Sequence, residues 1–82
     1  MCVLGTTTIA AFVDSVLGDR IQFFVDENIN NEDGGARFRG KRVVSPVSLD
    51  KSAHIILPYG VANQGIKKRF CRDYHLNSFE LI

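Results

Sequence analysis

The stretch Met1–Asn28, MCVLGTTTIAAFVDSVLGDRIQFFVDEN, decides how the rest of the chain is read. A short apolar run is followed by Gly5 and three threonines, then by a patterned segment, then by a second apolar run that ends in Asp26. Ile9, Phe12, Val13, Val16 and Leu17 recur at i, i+3, i+4, i+7 and i+8. That spacing predicts a helix from about Thr7 to Leu17, with this stripe on a core and Asp14, Ser15 and Asp19 in water. A hydroxyl from Thr6, Thr7 or Thr8 can accept from the unpaired N–H groups of the first turn, and Gly18 stands where a left-handed cap would end the helix. The run Ile21–Val25 is too short for a helix and rich in β-branched and aromatic residues, so Arg20–Val25 is expected as a strand buried on both faces, apart from Gln22. Strand, helix and strand make a β-turn-α-β unit whose crossover should be right-handed.

Outward from this unit, Met1–Leu4 is the first strand, and Glu27–Gly35 is acidic, amide-rich and closed by a glycine pair, as a loop would be. Phe38 interrupts the polar stretch, and Lys41–Val44 reads as a short edge strand or an extended segment, stopped by Ser45-Pro46. Val47–Asp50 suits a single helical turn. Ala53–Leu57 is the third core strand, ended by Pro58 and Gly60. Ala62, Ile66, Phe70 and Tyr74, with Cys71 beside them, then mark a second helix ending near Tyr74. Gly65 weakens that helix by roughly 1 kcal/mol relative to alanine and suggests close packing on the sheet. Ser78–Ile82 is the fourth strand. The expected fold is α/β: one domain over residues 1–82, a parallel sheet in the order 2-1-3-4, and helices on both faces.

The chain has 82 residues, 45% apolar and 23% charged, which suits one small globular domain. A net charge of +1 argues against a nucleic-acid partner. The basic cluster Lys67-Lys68-Arg69 with Arg72 reads as a solvated helix face, with a phosphate or acidic-partner contact as its other use. Cys2 and Cys71 have no metal-ligand spacing and read as small core or boundary residues. No apolar run approaches the roughly 20 residues that span a bilayer, and no signal peptide is readable, so no membrane partner and a cytoplasmic location are expected. The first strand starts at once, so the domain either begins abruptly or belongs to a longer enzyme.

In parallel sheets of this mononucleotide-binding kind, ligands sit beyond the carboxyl ends of the strands. Those ends are Gly5-Thr6-Thr7, Asp26-Glu27-Asn28 and Pro58-Tyr59-Gly60, the candidates for a single cleft. Gly5 allows a close backbone approach to an anion, while the helix N-terminus and threonine hydroxyls can donate to it. The turn reads G-T-T-T-I-A and keeps only the first glycine of the full fingerprint, so threonine caps alone also account for it. Asp26 follows Gly5 by 21 positions, near the spacing at which a carboxylate receives a ribose diol. Its other use is to cap the strand through an Asx turn. Tyr59 can stack on a base or sugar, or cover the edge of the core. Ser45 can reach a ligand or simply turn the chain before proline. His54 and His75 read as structural residues, and no catalytic constellation is recognisable.

The succession Gly5-Thr6-Thr7, helix, FFVDEN over Phe23–Asn28, FRGKRVVSP over Phe38–Pro46 and IILP over Ile55–Pro58 resembles the small Rossmann-like domains of sugar-modifying enzymes. The C-terminal domain of sugar C-methyltransferases and the N-terminal domain of bacterial sugar acyltransferases are the two families concerned. The resemblance implies a non-catalytic module that holds a nucleotide or nucleotide-sugar, with Gly5, Thr6, Thr7, Asp26, Asn28 and Tyr59 as binding residues. It also implies that the chemistry belongs to another domain, so this chain alone should lack methyltransferase or acyltransferase activity. The reading left beside it is a structural or docking domain with the same layout, no ligand, and a homo-oligomeric or larger parent assembly as its setting.

Overall fold

The computed structural model describes residues 1–29 and 35–82. It is an α/β fold in which strands β1 (Cys2–Leu4), β2 (Phe23–Val25), β3 (Arg37–Phe38), β4 (Lys41–Val44), β5 (His54–Leu57) and β6 (Ser78–Leu81) form one sheet. The helices are α1 (Thr8–Leu17) and α2 (Asn63–Tyr74). Among the described residues the sheet order is β3-β4-β2-β1-β5-β6, so the sheet takes in the Lys41–Val44 segment as well as a strand, β3, that the sequence pattern does not mark. All pairings are parallel except that of β3 with β4.

Lys41–Val44 is therefore no edge strand: it lies between β2 and β3, its Val43 in register with Phe24. Arg39 and Gly40 turn the β3–β4 hairpin with φ of 52° and 79°, the positive angles that match the twist of a two-residue connection. Phe38 secures this outer strand by packing edge-on against Phe24, with ring centroids 4.9 Å apart. The strand expected from Arg20 begins only at Phe23, because Gly18–Arg20 forms a 3₁₀ turn. The expected turn at Val47–Asp50 lies one residue earlier, at Pro46–Ser48, with the Ser45 hydroxyl accepting from Val47 N–H. Of the expected loop Glu27–Gly35, residues 30–34 lie outside the described residues.

Alternate residues of the strands serve two hydrophobic clusters. Val3, Phe24, Val43 and Ile56 pack with Ala10 and Val13 of α1, while Cys2, Leu4, Val25, Ile55 and Leu57 pack with Phe70 of α2. Burial pushes the Cys2 thiol up to about 12, so it behaves as an apolar core group. Gly65 is exposed, and a Cβ there would meet nothing within 4 Å, so the close packing expected at this position is absent.

The helical period of α1 is as expected but its phase is not. Ala10, Val13 and Asp14 are buried and Leu17 packs beside them, whereas Ile9, Phe12 and Val16 are exposed, Phe12 by 62% and Val16 by 65%. The stripe is turned by about one residue, or 100°. Asp14, assigned to water by its polarity, is only 6% exposed and explains the rotation. Its carboxylate accepts from Arg39 Nε at 2.7 Å and from Lys41 Nζ, which also donates to the Gly18 carbonyl at 2.8 Å. Burial pushes the Asp14 carboxyl up, but hydrogen bonds from Lys41 and Arg39 outweigh this and hold it below the ordinary range.

Candidate functional site

The β1–α1 turn shapes the floor of the site. Gly5 has φ of +94°, a conformation only glycine adopts readily, and its N–H donates to the Val25 carbonyl at 2.6 Å. Thr7 is the N-cap of α1, its hydroxyl accepting from Ala10 N–H at 3.2 Å. At the other end of α1, the Gly18 N–H donates to the Asp14 carbonyl with φ of 54° but ψ of −123°, which is not the left-handed helical cap expected there.

Tyr59 stands over this turn. Its hydroxyl donates to the Leu4 carbonyl at 2.5 Å and lies 3.0 Å from the Thr7 hydroxyl. A Cβ on Gly5 would fall 2.2 Å from that oxygen, so the turn needs glycine for space as well as for φ. The Tyr59 backbone is fixed by buried Asn63, which accepts from Tyr59 N–H and donates to the Ile82 carbonyl, each at 3.0 Å. The tyrosine thus covers Gly5 with its hydroxyl turned inward.

At the end of β2, Asp26 N–H donates to the Val44 carbonyl at 2.9 Å, and Asp26 Oδ1 accepts from Asn28 N–H at 2.9 Å, which is an Asx turn. Glu27 accepts from Arg69 Nη1 and, at 2.8 Å, from the Tyr74 hydroxyl. The Arg69 hydrogen bond holds the Glu27 carboxyl below the usual range against a smaller effect of burial, and the same carboxylate raises Tyr74. One member of the basic cluster is therefore engaged with the rim, while Arg72 pairs with its neighbour Asp73 at 2.8 Å.

The β1–α1 turn, the end of β2 and Tyr59 line one cavity of about 500 Å³ on the rim at the carboxyl ends of β1 and β2. Gly5, Thr6, Thr7, Asp26, Asn28 and Tyr59 all line it, joined by Leu4, Val25 and Glu27 and by Ala62 and Ile66 from the α2 side. Its volume is within the range of small-molecule sites. Ala62 and Ile66 were legible as helix-face residues but not as cavity walls, because only the docking of α2 brings them there. Ser45 does not line the cavity. His54 is elsewhere, its Nδ1 bonded to the Ser78 hydroxyl at 2.6 Å and its Nε2 3.5 Å from Glu80, and His75 is an exposed left-handed cap after α2.

A second concavity, about 210 Å³, runs along α1 and is lined by Ile9, Phe12, Val13, Val16, Leu17, Pro58 and Ile82. Among the described residues no helix is long and apolar enough to cross a membrane. Comparison with protein-family models, with curated proteins and with solved structures found no match.

Proposed function

We propose that this chain is a non-catalytic, Rossmann-like module that binds a nucleotide or nucleotide-sugar for a sugar-modifying enzyme, methyltransferase-like or acyltransferase-like. The finer layout belongs to the same reading: three layers, the strand order 2-1-3-4, a helix on each face, and a cytoplasmic setting. One observation carries it: Gly5, Thr6, Thr7, Asp26, Asn28 and Tyr59 line a single cavity at the carboxyl ends of parallel strands. Asp26 supplies a carboxylate suited to a sugar diol, and the Tyr59 ring supplies a flat apolar wall. NMR titration with UDP- and dTDP-linked sugars and with NAD should shift the amides of Gly5–Thr8 and Asp26–Asn28. Silence at millimolar ligand would remove the reading.

The exposed apolar groove of α1 favours a second reading, a docking domain that retains the layout without a ligand. Sedimentation and pull-down test it. A strictly monomeric chain that retains no partner would leave it without support.

A further inference from the structure

Resting on that reading, the hydrogen bonds and charges of the same cavity narrow the ligand class. We infer that the cavity recognises the ribonucleoside part of its ligand, and that Tyr59 closes the Gly5 corner to phosphate, so that any phosphate of the ligand lies away from that corner.

Two of the donors that an anion could use at this corner are already committed. Gly5 N–H is given to the Val25 carbonyl at 2.6 Å, and Ala10 N–H to the Thr7 hydroxyl at 3.2 Å. A tyrosine hydroxyl has one proton, and Tyr59 gives it to the Leu4 carbonyl at 2.5 Å. The 3.0 Å contact between Tyr59 and Thr7 then has Thr7 as donor, so these two hydroxyls present only lone pairs to the cavity. Tyr59 also fills the space that the absence of a Gly5 side chain creates, since a Cβ there would be 2.2 Å from its oxygen. The space over Gly5 and two of the donors at the turn are therefore taken up internally.

The charge of the lining has the same sense. Among the described residues that line the cavity, Asp26 and Glu27 are acids and no lysine, arginine or histidine is present. Arg69 approaches from α2 but is paired with Glu27. Asp26 uses Oδ1 for Asn28 N–H, leaving Oδ2 to accept from a ribose hydroxyl. A carboxylate left without a cation repels phosphate and attracts a positive substituent.

The test is an NMR titration of the full chain with adenosine, AMP and ADP, and with uridine, UMP and UDP, at low salt. Affinity should fall by about fivefold or more from nucleoside to diphosphate, the size of one like-charge contact in water, and the gap should narrow as salt is added. Tyr59→Phe, which returns the Thr7 proton and the Leu4 carbonyl to solvent, should reduce the preference for the nucleoside. A diphosphate that binds as tightly as its nucleoside, or a Tyr59→Phe variant with an unchanged preference, overturns the inference while the binding reading stands. Silence from all six compounds, together with the nucleotide-sugars and NAD, overturns both.

Discussion

Two concave surfaces meet α1, and they differ in kind. At its N-terminal end, the cavity over Gly5 is lined by groups whose hydrogen bonds are made within the chain: Tyr59 to Leu4, Thr7 to Tyr59, Asn28 to Asp26. Along the helix, the groove of Ile9, Phe12 and Val16 with Pro58 and Ile82 is almost wholly apolar, and its largest side chain is 62% exposed. The first surface is largely pre-set without an occupant, because Tyr59, Thr7, Leu4 and Asn28 find partners within the chain. The second leaves apolar area in water, which a covering partner would remove at a gain of roughly 25 cal/mol per Å². A pre-set polar site and an uncovered apolar face are thus generated by one helix, and each can be perturbed separately.

The largest effect is expected at the rim. Gly5→Ala must leave a positive φ or displace Tyr59, with the loss of its bonds to Leu4 and Thr7. Together these should cost about 2–3 kcal/mol, lowering the melting temperature by roughly 10 °C or more in thermal circular dichroism. A melting temperature near that of the wild type would mean that the rim is not pre-set, and the contrast with the groove would collapse.

Asp14→Asn tests what turns Phe12 outward. Removing a carboxylate that faces two cations should cost about 1–2 kcal/mol, less than a fully buried pair because Arg39 and Lys41 are partly exposed. Its pH dependence has a definite sign. The Asp14 carboxyl is lowered in the folded chain from 3.8, so its contribution is complete above that ordinary value and is lost as pH falls through the lower folded one. Urea unfolding at about pH 6 and about pH 3, on either side of the ordinary carboxyl value of 3.8, should therefore show a smaller acid loss for Asp14→Asn than for the wild type. An equal acid loss in both chains would remove Asp14 as the source.

A change on α2 that touches neither surface serves as reference. Gly65→Ala fills open space in a helix interior and should raise stability by about 0.5–1 kcal/mol, read as a higher urea midpoint. The smallest effect on stability is expected in the groove. Phe12→Gln should change unfolding free energy by no more than about 0.5 kcal/mol while reducing retention on a hydrophobic-interaction column. A larger destabilisation would show that Phe12 belongs to the core and that the groove is not an uncovered face.

The residues of the rim were legible because strand-end chemistry is local: glycine after an apolar run, threonines before a helix, an acid after FFV. Asp26 was readable both as a diol acceptor and as an Asx-turn residue, and the Asx turn is formed. Tyr59 was readable as an aromatic at a strand end. The direction of its hydroxyl was not, since Leu4 lies 55 positions away. The phase of α1 is likewise set by residues distant in sequence. Five apolar residues at helical spacing leave the buried stripe ambiguous by one position, and Arg39 and Lys41, 25 and 27 positions on, decide it by drawing Asp14 inward.

Local periodicity and turn chemistry are thus sufficient for the alternation of strands and helices and for the α/β class, because both act over a few neighbouring residues. The six-stranded extent of the sheet, the interior place of β4, the face α1 presents and the closure of Gly5 by Tyr59 came only with the folded chain. Those features rest on contacts between residues distant in sequence, where a carboxylate, a hydroxyl or a short hairpin finds its partner only after the sheet has brought the two together.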